Sequence, residues 1–301
     1  MKFVITGVNS FIGQELLDAL LQNGHEVVSV SRRNAVTQVP TEFVCADMSE
    51  YGELYKQIDS ADVFINLAWR GSAQNGRNDV AIQKDNIRDT LKAIDAAQQM
   101  KCKLFVQAGS QAEYGSVTTD ISETTPCHPF SEYGKAKLEV QKQAFALCEK
   151  YSMKYIHLRI FSIYGENDHP WTLVMSSLKK MLLNETVALS SCLQYWNFLY
   201  VKDAVSQILS LCDYALKTDD FSQEVYNIAS EDTRILKDFV EEMKVRSKSD
   251  SFLDYGVIHS PHNVSLKPNM MKTKTVVGTL SFHTFGEIIE LIISKIKNTE
   301  L

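Results

Sequence analysis

Lys2-Phe3-Val4-Ile5-Thr6-Gly7-Val8-Asn9-Ser10-Phe11-Ile12-Gly13 decides the fold. A short apolar strand over 2–6 runs into a glycine, and a helical stretch over 12–23 follows at once. A glycine turn between strand and helix lets backbone amides approach a pyrophosphate at a helix N-terminus. The spacing is G-x-x-S-x-x-G, with Ser10 at the middle position. Glycines also mark ordinary strand–helix turns, so the rest of the chain must support the reading. Outward from this turn, apolar strands at 27–30, 43–45, 63–68, 104–108 and 155–160 alternate with helices at 51–58, 79–99 and 131–150. Strands that are apolar throughout and separated by helices indicate a parallel sheet covered on both faces. That is the α/β, doubly wound class.

After Gly165 the rhythm changes. Residues 171–184 read as helix and 186–189 as extended; 198–201 leads into a helix over 203–214, and 225–229 is one more buried strand. Amphipathic helices follow at 236–245 and 285–296, with 244–251 a polar surface loop. The expected organisation is a Rossmann-type NAD(P)-binding domain from 1–165 plus about 195–230. A smaller C-terminal α/β substrate lobe takes about 166–194 plus 231–301, and the cleft between them is the expected ligand site.

Strand two ends Val28-Ser29-Val30-Ser31-Arg32-Arg33, with no acid where one would bind the ribose hydroxyls of NAD. An arginine there pairs with the 2′-phosphate of NADP; a solvated basic turn is the plainer reading. Asp47-Met48 closes strand three, where an acid reaches the adenine amino group, and Leu67-Ala68 closes strand four beside the cofactor's path. Tyr133-Gly134-Lys135-Ala136-Lys137, with Ser110 upstream, carries the chemistry. A phenol and an ammonium four residues apart share one helix face, and a nearby ammonium favours an ionised tyrosine. Such a tyrosine exchanges a proton with an alcohol oxygen near neutral pH. The same spacing also occurs on solvated helix faces. Ser10 lacks a His/Asp partner for nucleophilic work, so phosphate-loop duty suits it better.

The 301 residues are 45% hydrophobic and carry a net charge of −6, enough for a large core and without a basic block for nucleic acid or an anionic membrane. No apolar run approaches the roughly 20 residues that span a bilayer. The first residues do not read as a signal peptide, so a cytoplasmic location with reduced cysteines is expected. The six cysteines are scattered, and the seven histidines (His25, His128, His157, His169, His259, His262, His283) show no ligand spacing; they read as surface or loop residues, and no metal site is expected.

These pieces together make the chain resemble the extended short-chain dehydrogenase/reductases, the NAD(P)-dependent epimerase/dehydratase family acting on nucleotide sugars. The matching stretches include 6–13, 45–48, 66–68, 108–115, 133–137, 158–165 and 198–203. The resemblance implies Tyr133 as acid/base, Lys137 as the group that holds the nicotinamide ribose and tunes Tyr133, and Ser110 as the partner of the reacting oxygen. It also implies cofactor contacts from Gly7, Ser10, Phe11, Ile12, Gly13, Ser31, Arg32, Asp47, Met48, Leu67, Ala68, Asn86 and Phe161. Trp69, Tyr114, Trp196 and His259 are expected at the substrate, and a homodimer through the helices at 79–99 and 131–150 fits relatives of this kind.

The departures direct the reading. Dehydratases carry an Asp-Glu pair directly after the Ser/Thr; here Gln111 and Ala112 stand there, and Glu113 is one residue too late. Trp196 stands where many relatives grip a diphosphate with Arg; it can stack on a base or sugar, or simply pack. Ser162 replaces an Asn common in relatives. The segments 252–258 and 265–269 resemble reductases of nucleotide-linked 4-keto-6-deoxyhexoses. The expectation is an NADPH-dependent reductase of a keto group on a nucleotide sugar. A 4-epimerase holding NAD, or a non-catalytic dinucleotide sensor, stand as the alternatives.

Overall fold

The computed structural model describes residues 1–33, 41–259 and 264–300. His262 lies outside them. In chain order the elements are β1 (Lys2–Thr6), α1 (Phe11–Gln22), β2 (Glu26–Ser31), β3 (Glu42–Cys45), β4 (Val63–Asn66), α2 (Val80–Gln99), β5 (Leu104–Ala108), α3 (Glu132–Lys150), β6 (Lys154–Ile160) and β7 (Ser162–Tyr164). They are followed by α4 (Leu173–Leu182), β8 (Val187–Ala188), β9 (Tyr195–Tyr200), α5 (Val201–Lys217), β10 (Gln223–Ile228) and β11 (Thr233–Ile235). The chain ends in α6 (Leu236–Ser247), β12 (Leu253–Asp254), α7 (Met271–Val277) and α8 (Phe285–Glu300).

Seven strands form one sheet in the order β10-β6-β5-β4-β1-β2-β3, and every pairing is parallel. This is the doubly wound fold expected from the apolar runs. Alternate residues of one strand serve opposite faces. Phe3 and Ile5 join Ile65, Val106 and Leu158 under α1 and α5, while Val4 joins Phe64, Phe105 and Tyr155 under α2 and α3. Both faces are dry, so a two-period polar pattern has no place in these strands. The strand order reverses between β1 and β4, and that crevice at the strands' C-terminal ends is where open α/β sheets bind ligands.

A third apolar cluster gathers α4, α6 and α8 around Phe239, Phe285 and Ile289, against Tyr164 of β7 and Phe198 of β9. Residues 271–277 do not join it. Their helix packs on α5 and β10, with the Thr273 hydroxyl donating to the Asn227 carbonyl at 2.8 Å.

Three local expectations change, and one helix had no expectation. The helix expected over 51–58 is a 3-10 helix, Met48–Lys56, because Asp47 starts it early with a capping box to Ser49 and Glu50. β4 ends at Asn66, since Leu67 and Ala68 pass beside Gly7. The 244–251 segment is no exposed loop: α6 runs to Ser247, and Ser249 and Ser251 are buried, their hydroxyls 2.7 Å apart. The helix α7 escapes sequence reading because seven residues give too little periodicity.

Candidate active site

The first βα turn has the tight strand-to-helix geometry its glycines suggest. Gly7 has φ +71°, and a Cβ there would lie 2.7 Å from the Ala68 amide nitrogen. Only glycine lets β1 and the end of β4 approach so closely. Ser10 caps α1, its hydroxyl accepting from the Gly13 amide at 3.1 Å. Gly13 itself is buried beneath the turn, where a side chain would run into the Gly7 and Val8 carbonyls. It shapes the turn and does not line the cavity. Asn9, which sequence reading passed over, ties the turn to β2 by donating to the Ser31 hydroxyl at 3.0 Å and the Arg33 carbonyl at 2.8 Å.

Above the turn lies a cavity of about 860 Å³ at the crevice between β1 and β4. Gly7, Ser10, Phe11 and Ile12 line its middle. Ser31, Arg32, Asp47 and Met48 line one end; Trp69, Ser110, Tyr133, Lys137 and Phe161 line the other, with Leu67 and Ala68 between. Arg32 and Arg33 are exposed and face that first end. Burial opposes ionisation of Asp47, but hydrogen bonds from Ser49 and then the charges of Arg70 and Arg32 hold its carboxyl below the usual range. Arg70, another residue the sequence did not flag, reaches Asp47 at 3.5 Å and pairs with the buried Asp89.

Two expected contacts sit elsewhere. Asn86 is buried on α2 and does not reach the cavity; its amide holds both backbone groups of Arg70, at 3.1 and 2.8 Å. Tyr114 is also buried, its hydroxyl donating to Asn227 at 2.6 Å and its ring covered by Arg159. A side chain so committed has nothing left for a substrate.

At the chemical end, Ser131 caps α3 by accepting from the Gly134 amide at 3.1 Å, which sets Tyr133 on the first turn facing β5. Tyr133 is buried, and the Ser110 hydroxyl bears on its phenol. The Ser110 hydroxyl also accepts from the Ala112 amide at 3.2 Å, leaving its own hydrogen to donate. Burial raises the Tyr133 phenol above its ordinary value, so it carries its proton through neutral pH. The Lys137 ammonium donates to the Ala108 carbonyl at 2.5 Å and sits 3.6 Å from the centre of the Trp69 ring, but 5.7 Å from that of Tyr133. Burial lowers it to about 7, partly opposed by Glu113.

Glu113 is the largest surprise. It turns inward, fully buried, and closes a capping box on the Ser110 amide at 2.8 Å. Arg159 and His157 each meet it at 2.9 Å, and Tyr155 meets the far side of His157 at 2.9 Å. A carboxylate only accepts, so Nε2 of His157 carries hydrogen. His157 is therefore a core residue and not the surface residue expected from sequence.

A second cavity of about 590 Å³ adjoins this end. Gln111, Ala112, Trp196 and His259 line it, together with Arg77, which lies 4.3 Å over the Tyr133 ring. Trp196 faces this space and also packs between the third apolar cluster and the one around Tyr114.

The profile of the NAD dependent epimerase/dehydratase family matches residues 3–229. CDP-abequose synthase of Yersinia pseudotuberculosis is 25% identical over 99% of this chain and 100% of its own length. A dTDP-6-deoxy-L-talose 4-dehydrogenase (NAD(P)(+)) of Kitasatospora kifunensis is 30% identical over 54% of this chain and 53% of that protein. Among solved structures, UDP-glucose 4-epimerase of Thermotoga maritima superposes with a TM-score of 0.87 at 21% identity, covering 99% of each chain. The profile takes in the glycine turn, the crevice and the Ser110–Tyr133–Lys137 group in one continuous span, and the chain belongs to the NAD dependent epimerase/dehydratase family.

Proposed function

We propose that the protein is an NADPH-dependent reductase of a keto group on a nucleotide-activated deoxysugar. The observation that carries this reading is the buried Tyr133 phenol beside Ser110 and Lys137 at one end of the larger cavity.

The residues of the larger cavity fit a dinucleotide. Gly7 lets the end of β4 close against the turn, and the free amides of α1 suit a pyrophosphate. Ser31 and Arg32 would hold a 2′-phosphate, Asp47 and Met48 the adenine, and Lys137 and Phe161 the nicotinamide ribose. Such a cofactor, when bound, supplies the hydride. Tyr133 gives its proton to the oxygen that becomes the alcohol. Ser110 donates a hydrogen bond to that oxygen, strongest as charge develops there. Gln111 and Ala112 face the second cavity, and among the described residues that line it none is an acid for eliminating water. Trp69 lies edge-on to Tyr133 with ring centres 6.0 Å apart, and shields the pair from one side.

Relatives support the substrate class. Two are named for 4-dehydrogenation of dTDP-6-deoxy-L-talose, and two as CDP-abequose synthases. The test is oxidation of NADPH, compared with NADH, against a panel of nucleotide-linked 4-keto-6-deoxyhexoses. Tyr133→Phe is expected to lower turnover by a factor of about 10² or more with cofactor affinity kept. Near-wild-type turnover in that variant, or tightly held NAD with no net NADPH consumption, would sink the reading; the second outcome points to a 4-epimerase.

A further inference from the structure

The loop that leaves β7, residues 165–172, is tied to the body of the fold along its first half. A Cβ on Gly165 would lie 3.2 Å from the Phe11 ring, so the loop starts against the first turn of α1. The Glu166 carboxylate accepts from the Tyr200 hydroxyl of β9 at 3.1 Å, and the Asn167 side chain accepts from Lys295 of α8. His169 follows and lines the larger cavity. Its amide donates to the Asp168 carboxylate at 2.7 Å, and its carbonyl accepts from the Thr172 hydroxyl at 3.0 Å. Its ring lies flat on the indole of Trp171, with centres 4.4 Å apart and planes at 9°. Trp171 is itself 59% exposed. Tryptophan is highly buried on average, so an indole left in water beside a cavity asks for a reason. Its stack on His169 supplies one.

The cavity's cations stand at its ends: Arg32, Arg33 and Arg70 about Asp47, and Lys137 beside Tyr133. Its middle, along Gly7, Ser10, Phe11 and Ile12, offers the amides of α1 and no lysine or arginine among the described lining residues. A pyrophosphate carries negative charge on both phosphates. A side-chain donor beside the helix terminus would serve the oxygens that α1 does not face. We propose that His169 is a further cofactor-binding residue: its imidazole, carried by Trp171, donates to the pyrophosphate of a bound dinucleotide. The proposal rests on the reading of the larger cavity as the dinucleotide site. A neutral imidazole keeps one N–H, so the contact needs no added proton. Trp171 acts through His169 and is a positioning residue.

The test is binding, read by calorimetry, and needs no sugar substrate. NADPH and 2′-phospho-ADP-ribose carry the pyrophosphate; adenosine 2′-monophosphate does not. In His169→Ala the first two are expected to bind about tenfold more weakly, while adenosine 2′-monophosphate binds as before. His169→Gln, which keeps a side-chain N–H donor, is expected to recover part of the loss. Trp171→Ala is expected to weaken the same two ligands, and Trp171→Phe, which keeps a flat ring, to weaken them less. Both residues are exposed, so the melting temperature without ligand is expected to hold in every variant. Unchanged NADPH affinity in His169→Ala, or an equal loss for adenosine 2′-monophosphate, overturns the proposal. If the unmutated protein binds NADH in place of NADPH, ADP-ribose and adenosine replace the two fragments, and the same outcomes decide. That preference would contradict the NADPH reading while leaving the inference about His169 to stand or fall by itself. Binding of neither dinucleotide overturns both.

Discussion

Burial lowers the Lys137 ammonium from an ordinary 10.5 to about 7, and that has a thermodynamic consequence. Below about pH 7 the lysine is charged in both folded and unfolded chains, and the folded state bears the full cost of burying it. Between about 7 and 10.5 the unfolded chain binds a proton that the folded chain does not, so stability rises with pH through that window. Lys137→Met removes the cost. It is expected to stabilise the protein by a few kcal/mol at pH 7 or below. The gain fades above the lysine's ordinary value. Urea denaturation at pH 6.5 and pH 10 checks this; equal or lower stability of the variant at pH 6.5 contradicts it. A substitution that stabilises the fold while impairing the site identifies a residue kept for function. Tyr133 and Lys137 were both legible from their spacing. The direction of the lysine side chain was not, because spacing places two residues on one helix face without fixing their rotamers.

At the scale of elements, the turn after β5 is built around Glu113. Sequence reading dismissed this residue because it falls one position beyond the acids of dehydratases. The 3-10 turn Gln111–Glu113 explains the outcome. It rotates the side chain back under Ser110, so Glu113 caps the turn and meets His157 and Arg159 of β6. The carboxyl is held below its ordinary range: burial opposes its ionisation, and the His157 and Arg159 contacts outweigh burial. Its stabilising effect is therefore present above about pH 4.5 and lost as pH falls through the lowered value. Glu113→Gln would set an amide NH₂ against a donor of the buried cluster. It is expected to cost about 3–5 kcal/mol, read as a lower urea midpoint. A cost under about 1 kcal/mol would show that water or a shifted side chain relieves the cluster. The sequence contained one usable signal, a Ser-x-x-Glu capping box at 110–113, which was read only as a missing acid pair.

Over the whole molecule, the third apolar cluster is joined to the sheet by strands that enter and leave it. Tyr164, Phe198 and Tyr200 belong to it, and α5, which follows β9, packs under the sheet. Phe285 stacks among Phe198, Phe239 and Tyr164 at 5.6, 4.8 and 5.1 Å. Phe285→Ala is expected to cost about 3–5 kcal/mol. Because β7 continues directly from β6 of the sheet and β9 leads into α5 beneath it, circular dichroism and tryptophan fluorescence should still report one coincident unfolding transition. Two separated transitions would mean that the cluster unfolds independently. The sequence by itself determined the alternation of buried strands and helices, the glycine turn of β1 and the shared helix face of Tyr133 and Lys137. Each is written in hydrophobic period or in spacing along one element, where neighbours in sequence are neighbours in space. Only the tertiary structure decided that Arg77 covers Tyr133, that Glu113 locks to β6, and that Asn86 and Tyr114 face inward. Those contacts join segments far apart in the chain. They follow from the order of strands in the sheet and the path of loops between them, which no local pattern encodes.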